Sequence, residues 1–208
     1  MSKVRTLEHP LASSWVSELR STSTGAARFR RLVGGLAGAL AWEALAAEAV
    51  EPYPVRTPLT TTTGVRLADP CPIVVPVLRA GVWMVEAVLA LVPDASVAMV
   101  GLARDEATLV ATAYLDKLPP SVDGRRVLLL DPMLATGGSL VEVGERLLRH
   151  GAPRAVSVLA LLAAPEGIGR VTARFPTWDL VVAAVDDHLD GRGFIVPGLG
   201  DAGDRLSG

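Results

Sequence analysis

Asp131 follows the apolar run Val127, Leu128, Leu129, Leu130 and precedes Pro132, Met133, Leu134 and the small residues Ala135, Thr136, Gly137, Gly138 and Ser139. A carboxylate one step past a buried strand can accept hydrogen bonds from a pair of neighbouring hydroxyls. A loop of small residues leading into a helix turns backbone N–H groups toward an anion, and the hydroxyls of Thr136 and Ser139 add donors. Acid and cup together suit a phosphorylated sugar, with the carboxylate on the diol and the loop on the phosphate. Taken alone, the stretch is explained equally well as an ordinary strand-to-helix turn with Asp131 as a local cap. Ser139 and Glu142 have capping-box spacing, which predicts a helix from the end of "ATGGS" to Gly151, after Arg149 and His150. No lysine follows Gly137-Gly138 and the glycine spacing is wrong for GxGxxG, so the triphosphate and dinucleotide loops do not apply.

Other reactive residue types carry less. His9, His150 and His188 lie far apart with no partner at metal-ligand spacing, which argues against zinc. Ser14, Ser17 and Ser157 lack a nucleophile-elbow context. Cys71 is the single cysteine, unable to form an internal disulfide, and is expected to be a buried structural residue in a reducing compartment. Trp15, Trp42 and Trp178 are expected to pack. Arg79 and Arg104 each end an apolar run and, taken singly, read as surface ion-pair partners, Arg104 with Asp105 or Glu106.

Short runs rich in Val and Leu must position these groups: 73–78, 96–102, 126–130, 155–162 and 180–185, each bounded by turn residues. Their apolar continuity is that of strands buried on both faces. Between them "GVWMVEAVLALV", "SLVEVGERLLRHGA" and "PEGIGRVTARFP" have helical period. The alternation predicts an α/β fold, a doubly wound parallel sheet flanked by helices, with ligands at the carboxyl ends of its strands. An amphipathic helix is expected from Ala26 to Val50, with Phe29, Leu32, Val33, Leu36, Leu40 and Leu45 on related faces. Gly34, Gly35 and Gly38 within it imply a closely packed neighbouring surface, and the apolar face is a candidate subunit contact. The Thr- and Pro-rich stretch 52–69 reads as an excursion, a hairpin arm.

The 208 residues fit one domain, 1–208, with 50% apolar residues, 4% aromatics and a mean hydropathy of +0.39. A net charge of −2 and a pI near 5.9 disfavour generic nucleic-acid binding. The most apolar long segment is interrupted by Glu43, Glu48 and three glycines, and the start "MSKVRTLEHP" has no signal-peptide core. No membrane partner and a cytoplasmic location are expected.

"LLLDPMLATGGS" closely resembles the sugar-phosphate motif of phosphoribosyltransferases, in the form with a single acid followed by proline that marks uracil phosphoribosyltransferases. "PVLRAGVWMVEAVL", "VGLARDEATL", "AAPEGI", "FIVPGLGDAGDR" and the amino-terminal "HPL" follow the same family in order, over nearly the whole chain. The resemblance implies transfer of the phosphoribosyl group of 5-phospho-α-D-ribose 1-diphosphate (PRPP) to uracil, giving UMP and diphosphate with Mg²⁺. It implies that Arg79 and Arg104 contact the diphosphate, that Asp131 with residues Pro132 to Ser139 holds the ribose and its 5-phosphate, and that Ile195, Gly200, Asp201 and Ala202 surround the base. Asp201 also lies near the ribosyl diphosphate and its Mg²⁺ in this comparison. A GTP effector and a homo-oligomer, dimer or tetramer, are implied as well, and the segment 105–118 corresponds to a flexible lid loop.

The chain departs from the family at several positions. Trp83 stands where glycine is usual, and its ring must either cover the pocket or pack beneath it. "DEATLVATAY" lacks the glutamate and prolines that commonly precede the tyrosine at Tyr114. His188 and Asp190 replace a usual Gly and Asn, and Phe194 a usual Tyr. These changes leave open a phosphoribosyltransferase for another nucleobase. A non-catalytic nucleotide-sensing, RNA-binding regulator on the same fold is a further alternative, against which the acidic pI and the intact set Arg79, Arg104, Asp131 and Asp201 argue.

Overall fold

The computed structural model describes residues 3–68, 71–104 and 111–208. The chain begins with β1 (Lys3–Thr6), α1 (Pro10–Arg20) and α2 (Ala26–Leu45), followed by the hairpin β2 (Val50–Arg56) and β3 (Thr61–Leu67). The central region contains β4 (Ile73–Leu78), α3 (Val82–Leu89), β5 (Ser96–Val97), β6 (Val100–Arg104), β7 (Ala111–Asp116), β8 (Arg126–Leu130), β9 (Met133–Leu134) and α4 (Gly138–Arg149). It closes with β10 (Ala155–Ala163), α5 (Pro165–Arg174), β11 (Asp179–Val185), β12 (His188–Leu189), β13 (Ile195–Val196) and α6 (Ala202–Ser207).

The main sheet runs in the order β1-β11-β10-β8-β4-β6-β7, with β5 added on β4 and β9 on β10. All its pairings are parallel except β6 with β7. Because successive side chains of a strand point to opposite faces, each central strand feeds two cores. Val74, Leu128, Leu130, Leu159 and Val181 pack under α1, α2, α3 and α6. Ile73, Val75, Leu129, Val158 and Leu180 pack with α4 and α5 on the other face. On that second face a Cβ on Gly144 would lie 2.4 Å from the Phe175 ring, which stacks on Trp178 at 3.9 Å, so α4 sits close against α5.

Several sequence expectations change. The first long helix ends at Leu45, not Val50. Glu48 is held by Arg126 at 2.8 Å and Arg154 at 2.6 Å, which turns the chain away from the helix axis and into β2. The hairpin spans 50–67, not 52–69. Of the helix glycines, only Gly35 meets a close neighbour: the Trp15 ring of α1 lies 2.5 Å from where its Cβ would be, whereas Gly34 and Gly38 face open space. Phe29, Leu32, Val33, Leu36 and Leu40 are buried within the chain itself, which corrects their reading as a subunit contact.

Part of the segment 105–118, expected as a loop, is a strand. Residues 111–116 form a strand paired with β6, from Arg104↔Ala111 to Val100↔Asp116, and the Tyr114 ring closes over Gly101. Residues 105–110 lie outside the described residues. The run 96–102 splits into β5 and β6. β1, α1 and α6 were not anticipated, being four to eleven residues long, and β1 is defined only by pairing with β11.

Candidate active site

The cup forms where β8 ends. Asp131 leaves the strand partly exposed, and its Oδ1 accepts the Met133 N–H at 3.3 Å. Met133 and Leu134 form the short strand beside β10, which draws the following loop back across the sheet end. Asp131 and residues 133–140 line a cavity of about 20 Å³, room for one water-sized group. The cup is therefore a shallow seat with amides at its rim.

The capping box is not formed. Gly137, at φ 73°, is the N-cap, with no side-chain cap bond. Its left-handed conformation starts α4 at Gly138, so Ser139 falls inside the first turn and lines the cup. Glu142 pairs with Arg146 at 2.8 Å instead. Thr136 Oγ1 accepts the Gly138 N–H at 3.4 Å. The orphan amides of the 12-residue α4 thus open into the cup.

A second turn is clasped to the first. Arg79 follows β4, is exposed, and is joined to Leu78 by a cis peptide. Gly81 ends this turn, and a Cβ there would lie 2.2 Å from the Leu130 carbonyl oxygen and 2.7 Å from that of Val77. Only glycine permits that approach. Since Leu130 precedes Asp131, the Arg79 turn and the acid are neighbours. Arg104 ends β6, the strand next to β4.

Trp83, 41% exposed on α3, neither enters the cup nor is buried. Its ring lies 5.3 Å below the Arg30 guanidinium, which donates to the Leu206 carbonyl at 2.7 Å. This side chain therefore connects the Arg79 turn with the chain end.

The chain end is tied down. The buried Asp186 carboxylate pairs with Arg20 and accepts the Gly198 N–H at 2.9 Å. Arg20 also donates to the Gly198 carbonyl at 2.8 Å. The Asp186 carboxylate raises the Arg20 pKa above its ordinary value. Arg205 donates to the carbonyls of Leu19, Leu199 (2.8 Å) and Ser21 (2.6 Å), with its guanidinium 4.4 Å from the Phe29 ring, and burial lowers its pKa.

Ile195 and Ala202 turn their side chains into the core, so backbone groups are what they can present to a base. Gly200 takes φ 82°. Asp201 is exposed and caps α6, accepting the Asp204 N–H at 3.0 Å through one oxygen. This end approaches the cup at Gly193, where a Cβ would lie 3.7 Å from Thr136 Cγ2.

Among the described residues no group of three His, Cys, Asp or Glu side chains could hold a metal by itself. A Mg²⁺ bound through phosphate oxygens needs only one or two carboxylates. Asp201, with its other oxygen unspent on the cap, fits that donor set.

Three supporting features escaped sequence reasoning. Gly167 of α5 backs the cup, and a Cβ there would meet the Ala135 carbonyl at 2.3 Å. Asp186 and Arg170 carried no sequence signal beyond their residue types. Trp178 and Trp15 pack as expected, but Trp42 is 72% exposed. With Arg5, Leu11, Trp15 and Glu43 it lines a separate cleft of about 840 Å³ that contains none of the sequence-derived site residues. Cys71 is only partly buried.

A mostly parallel sheet with an acid-and-glycine cup at the carboxyl end of a central strand defines the phosphoribosyltransferase class. The AQ2163 protein of Aquifex aeolicus superposes with a TM-score of 0.92 at 38% identity, over 98% of this chain and 97% of that one. A point mutant of Trypanosoma cruzi hypoxanthine phosphoribosyltransferase, complexed with the product IMP, shares the fold, with a TM-score of 0.51 and 15% identity over 77% of this chain and 75% of that one.

The family model for uracil phosphoribosyltransferase matches residues 6–208. The uracil phosphoribosyltransferase of Kineococcus radiotolerans is 51% identical over 209 residues, covering 99% of both chains. That of Cutibacterium acnes is 48% identical over 210 residues, covering 99% of this chain and 98% of its own. The chain belongs to the uracil phosphoribosyltransferase family.

Proposed function

We propose that the chain transfers the phosphoribosyl group of PRPP to uracil in pyrimidine salvage, giving UMP and diphosphate. The observation that carries this reading is the seat of Gly81 on the Leu130 carbonyl, which joins an arginine turn to the Asp131 cup. In the reaction the bond between ribose C1 and the diphosphate oxygen breaks, and its electron pair leaves with diphosphate. The new bond joins C1 to N1 of uracil, which gives up its proton.

Each residue role follows from charge. Arg79 and Arg104 hold the diphosphate and stabilise the charge it gains, a task that suits the guanidinium fork. Asp131 accepts from the ribose hydroxyls, and residues Pro132 to Ser139 carry the ribose and 5-phosphate. Ile195, Gly200, Asp201 and Ala202 face the base through backbone amides and carbonyls, and a base with the wrong edge would leave them unpaired. Asp201 and the diphosphate oxygens would hold Mg²⁺, which neutralises the leaving group.

The test is UMP formation from uracil, PRPP and Mg²⁺ beside Asp131→Ala, Arg104→Ala and other bases. Turnover with uracil, lost in both variants, is the expected result. Turnover with another base alone would reassign the base pocket, where His188, Asp190 and Phe194 depart from the family.

The same proposal includes a homo-oligomer. The hairpin β2–β3 is exposed along its length, with Leu59 at 96%, and also presents Val50, Tyr53 and Val65. A lone two-stranded ribbon is marginal in water, so a second copy is its fitting partner. A GTP effector rests on the family resemblance, and stimulation of UMP formation by GTP tests it. A cytoplasmic location rests on that resemblance and the single cysteine. Among the described residues no helix is long and apolar enough to cross a membrane.

A further inference from the structure

Arg170 lies on α5, outside every sequence motif assigned a role above, and its guanidinium stands over the start of α4. The position a Cβ would take on Gly138 is 3.5 Å from Arg170 Nη1 and 3.9 Å from its Cζ. With glycine there, no side chain of residue 138 separates the guanidinium from the first amides of the helix.

Arg170 makes no ion pair or hydrogen bond among the described residues. Glu166, one turn earlier on the same helix, has its carboxylate on the Leu189 N–H at 3.1 Å. Arg174, one turn later, pairs with Glu145. A helix N-terminus carries about half a positive charge, so a guanidinium there is repelled unless an anion sits between them. The arrangement is two like charges facing one small cup.

We propose that Arg170 is a second-side ligand of the 5-phosphate, closing over an anion that the amides and hydroxyls of residues 135–139 hold from below. This rests on the reading of that loop as the phosphate cup. The guanidinium offers its fork to phosphate oxygens facing away from the loop, a role separate from that of Arg79 and Arg104 on the diphosphate. It selects for a ribosyl compound phosphorylated at the 5-position over one that is not.

Ribose 5-phosphate and inorganic diphosphate separate the two anion subsites as competitive inhibitors against PRPP. In Arg170→Gln the inhibition constant for ribose 5-phosphate and the KM for PRPP are expected to rise about five- to tenfold, as for a charge-assisted contact made by an exposed arginine. The constant for diphosphate and the kcat at saturating PRPP should hold. Arg170→Lys should recover part of the loss, and the Tm of Arg170→Gln should not fall, because no native partner is removed.

An unchanged constant for ribose 5-phosphate overturns the assignment, and so does an equal rise for diphosphate, which would mark a diffuse field. Wild-type enzyme that binds ribose 5-phosphate and PRPP but forms no UMP would defeat the uracil reading and leave this one standing. Absence of ribose 5-phosphate binding in the wild type would defeat the phosphate cup and Arg170 together.

Discussion

Asp131 accepts the Met133 N–H and is only partly buried. Asp131→Asn keeps an acceptor for that amide and loses the carboxylate. The expected result is a fall in kcat/KM for PRPP of about one to two orders of magnitude, the range for hydrogen bonds to charged groups, with the Tm held. A loss confined to stability would contradict the role. At Asp190 the Phe194 and Arg192 amides, both at 2.9 Å, hold the carboxyl below its ordinary pKa. Glu166 is lowered too, by its own amide and that of Leu189. A depressed pKa gives stabilisation that is complete above the unfolded value near about 4 and is lost as pH falls through the folded value. Asp190→Asn should therefore lose less stability than the wild type as pH drops below about 4, read from urea midpoints against pH. Parallel curves would remove Asp190 from the acid response. The acid at 131 was readable because a lone carboxylate after an apolar run stands out. Arg170 was not, because nothing in "GIGRV" says which loop its side chain overhangs.

At the scale of elements, glycines separate contacts that cannot move from those that can. Gly81→Ala places a methyl group on the Leu130 carbonyl oxygen, backbone against backbone. A destabilisation of about 1–3 kcal/mol is expected, the cost of overpacking, together with a raised KM for PRPP as the Arg79 turn is displaced. Gly34→Ala, in the middle of α2 with open space around it, should stabilise by up to about 1 kcal/mol. Chemical denaturation of the two variants checks both signs at once. The α4 boundary shows why spacing alone misplaced a cap. Ser139 and Glu142 have the right types and interval, but Gly137 reaches a left-handed conformation cheaply and starts the helix before Ser139. The strands were legible because burial on both faces leaves continuous apolar runs. β7 was not, since its alternation in "ATAYLD" becomes a strand only through pairing with β6.

At the scale of the whole molecule the chain end is held by groups from α1 and α2, more than 160 residues away, and by Asp186 just past β11. Arg205 of α6 makes the clearest of these ties, with four carbonyls, those of Leu19, Leu199, Ser21 and Thr24, and the Phe29 ring around it. Arg205→Met keeps much of the packing and leaves those carbonyls without their donor. Faster hydrogen exchange across 195–208 and a raised KM for uracil are expected, with the ribose 5-phosphate constant unchanged because the cup lies on other elements. If exchange quickens evenly over the whole chain, Arg205 serves global stability rather than the stretch 195–208.

The sequence by itself determined the α/β class, five apolar strand runs, and the acid and small-residue loop that follow β8, because these depend on local period, local composition and residues adjacent in the chain. The tertiary structure alone decided how the half-sites meet. Gly81 on Leu130, Gly167 beneath Ala135, Gly193 beside Thr136 and Arg170 above Gly138 are contacts between segments separated along the chain. Such approaches are set by the packing of the two faces of one sheet, and a one-dimensional pattern holds the period of each face but not the distance between its neighbours.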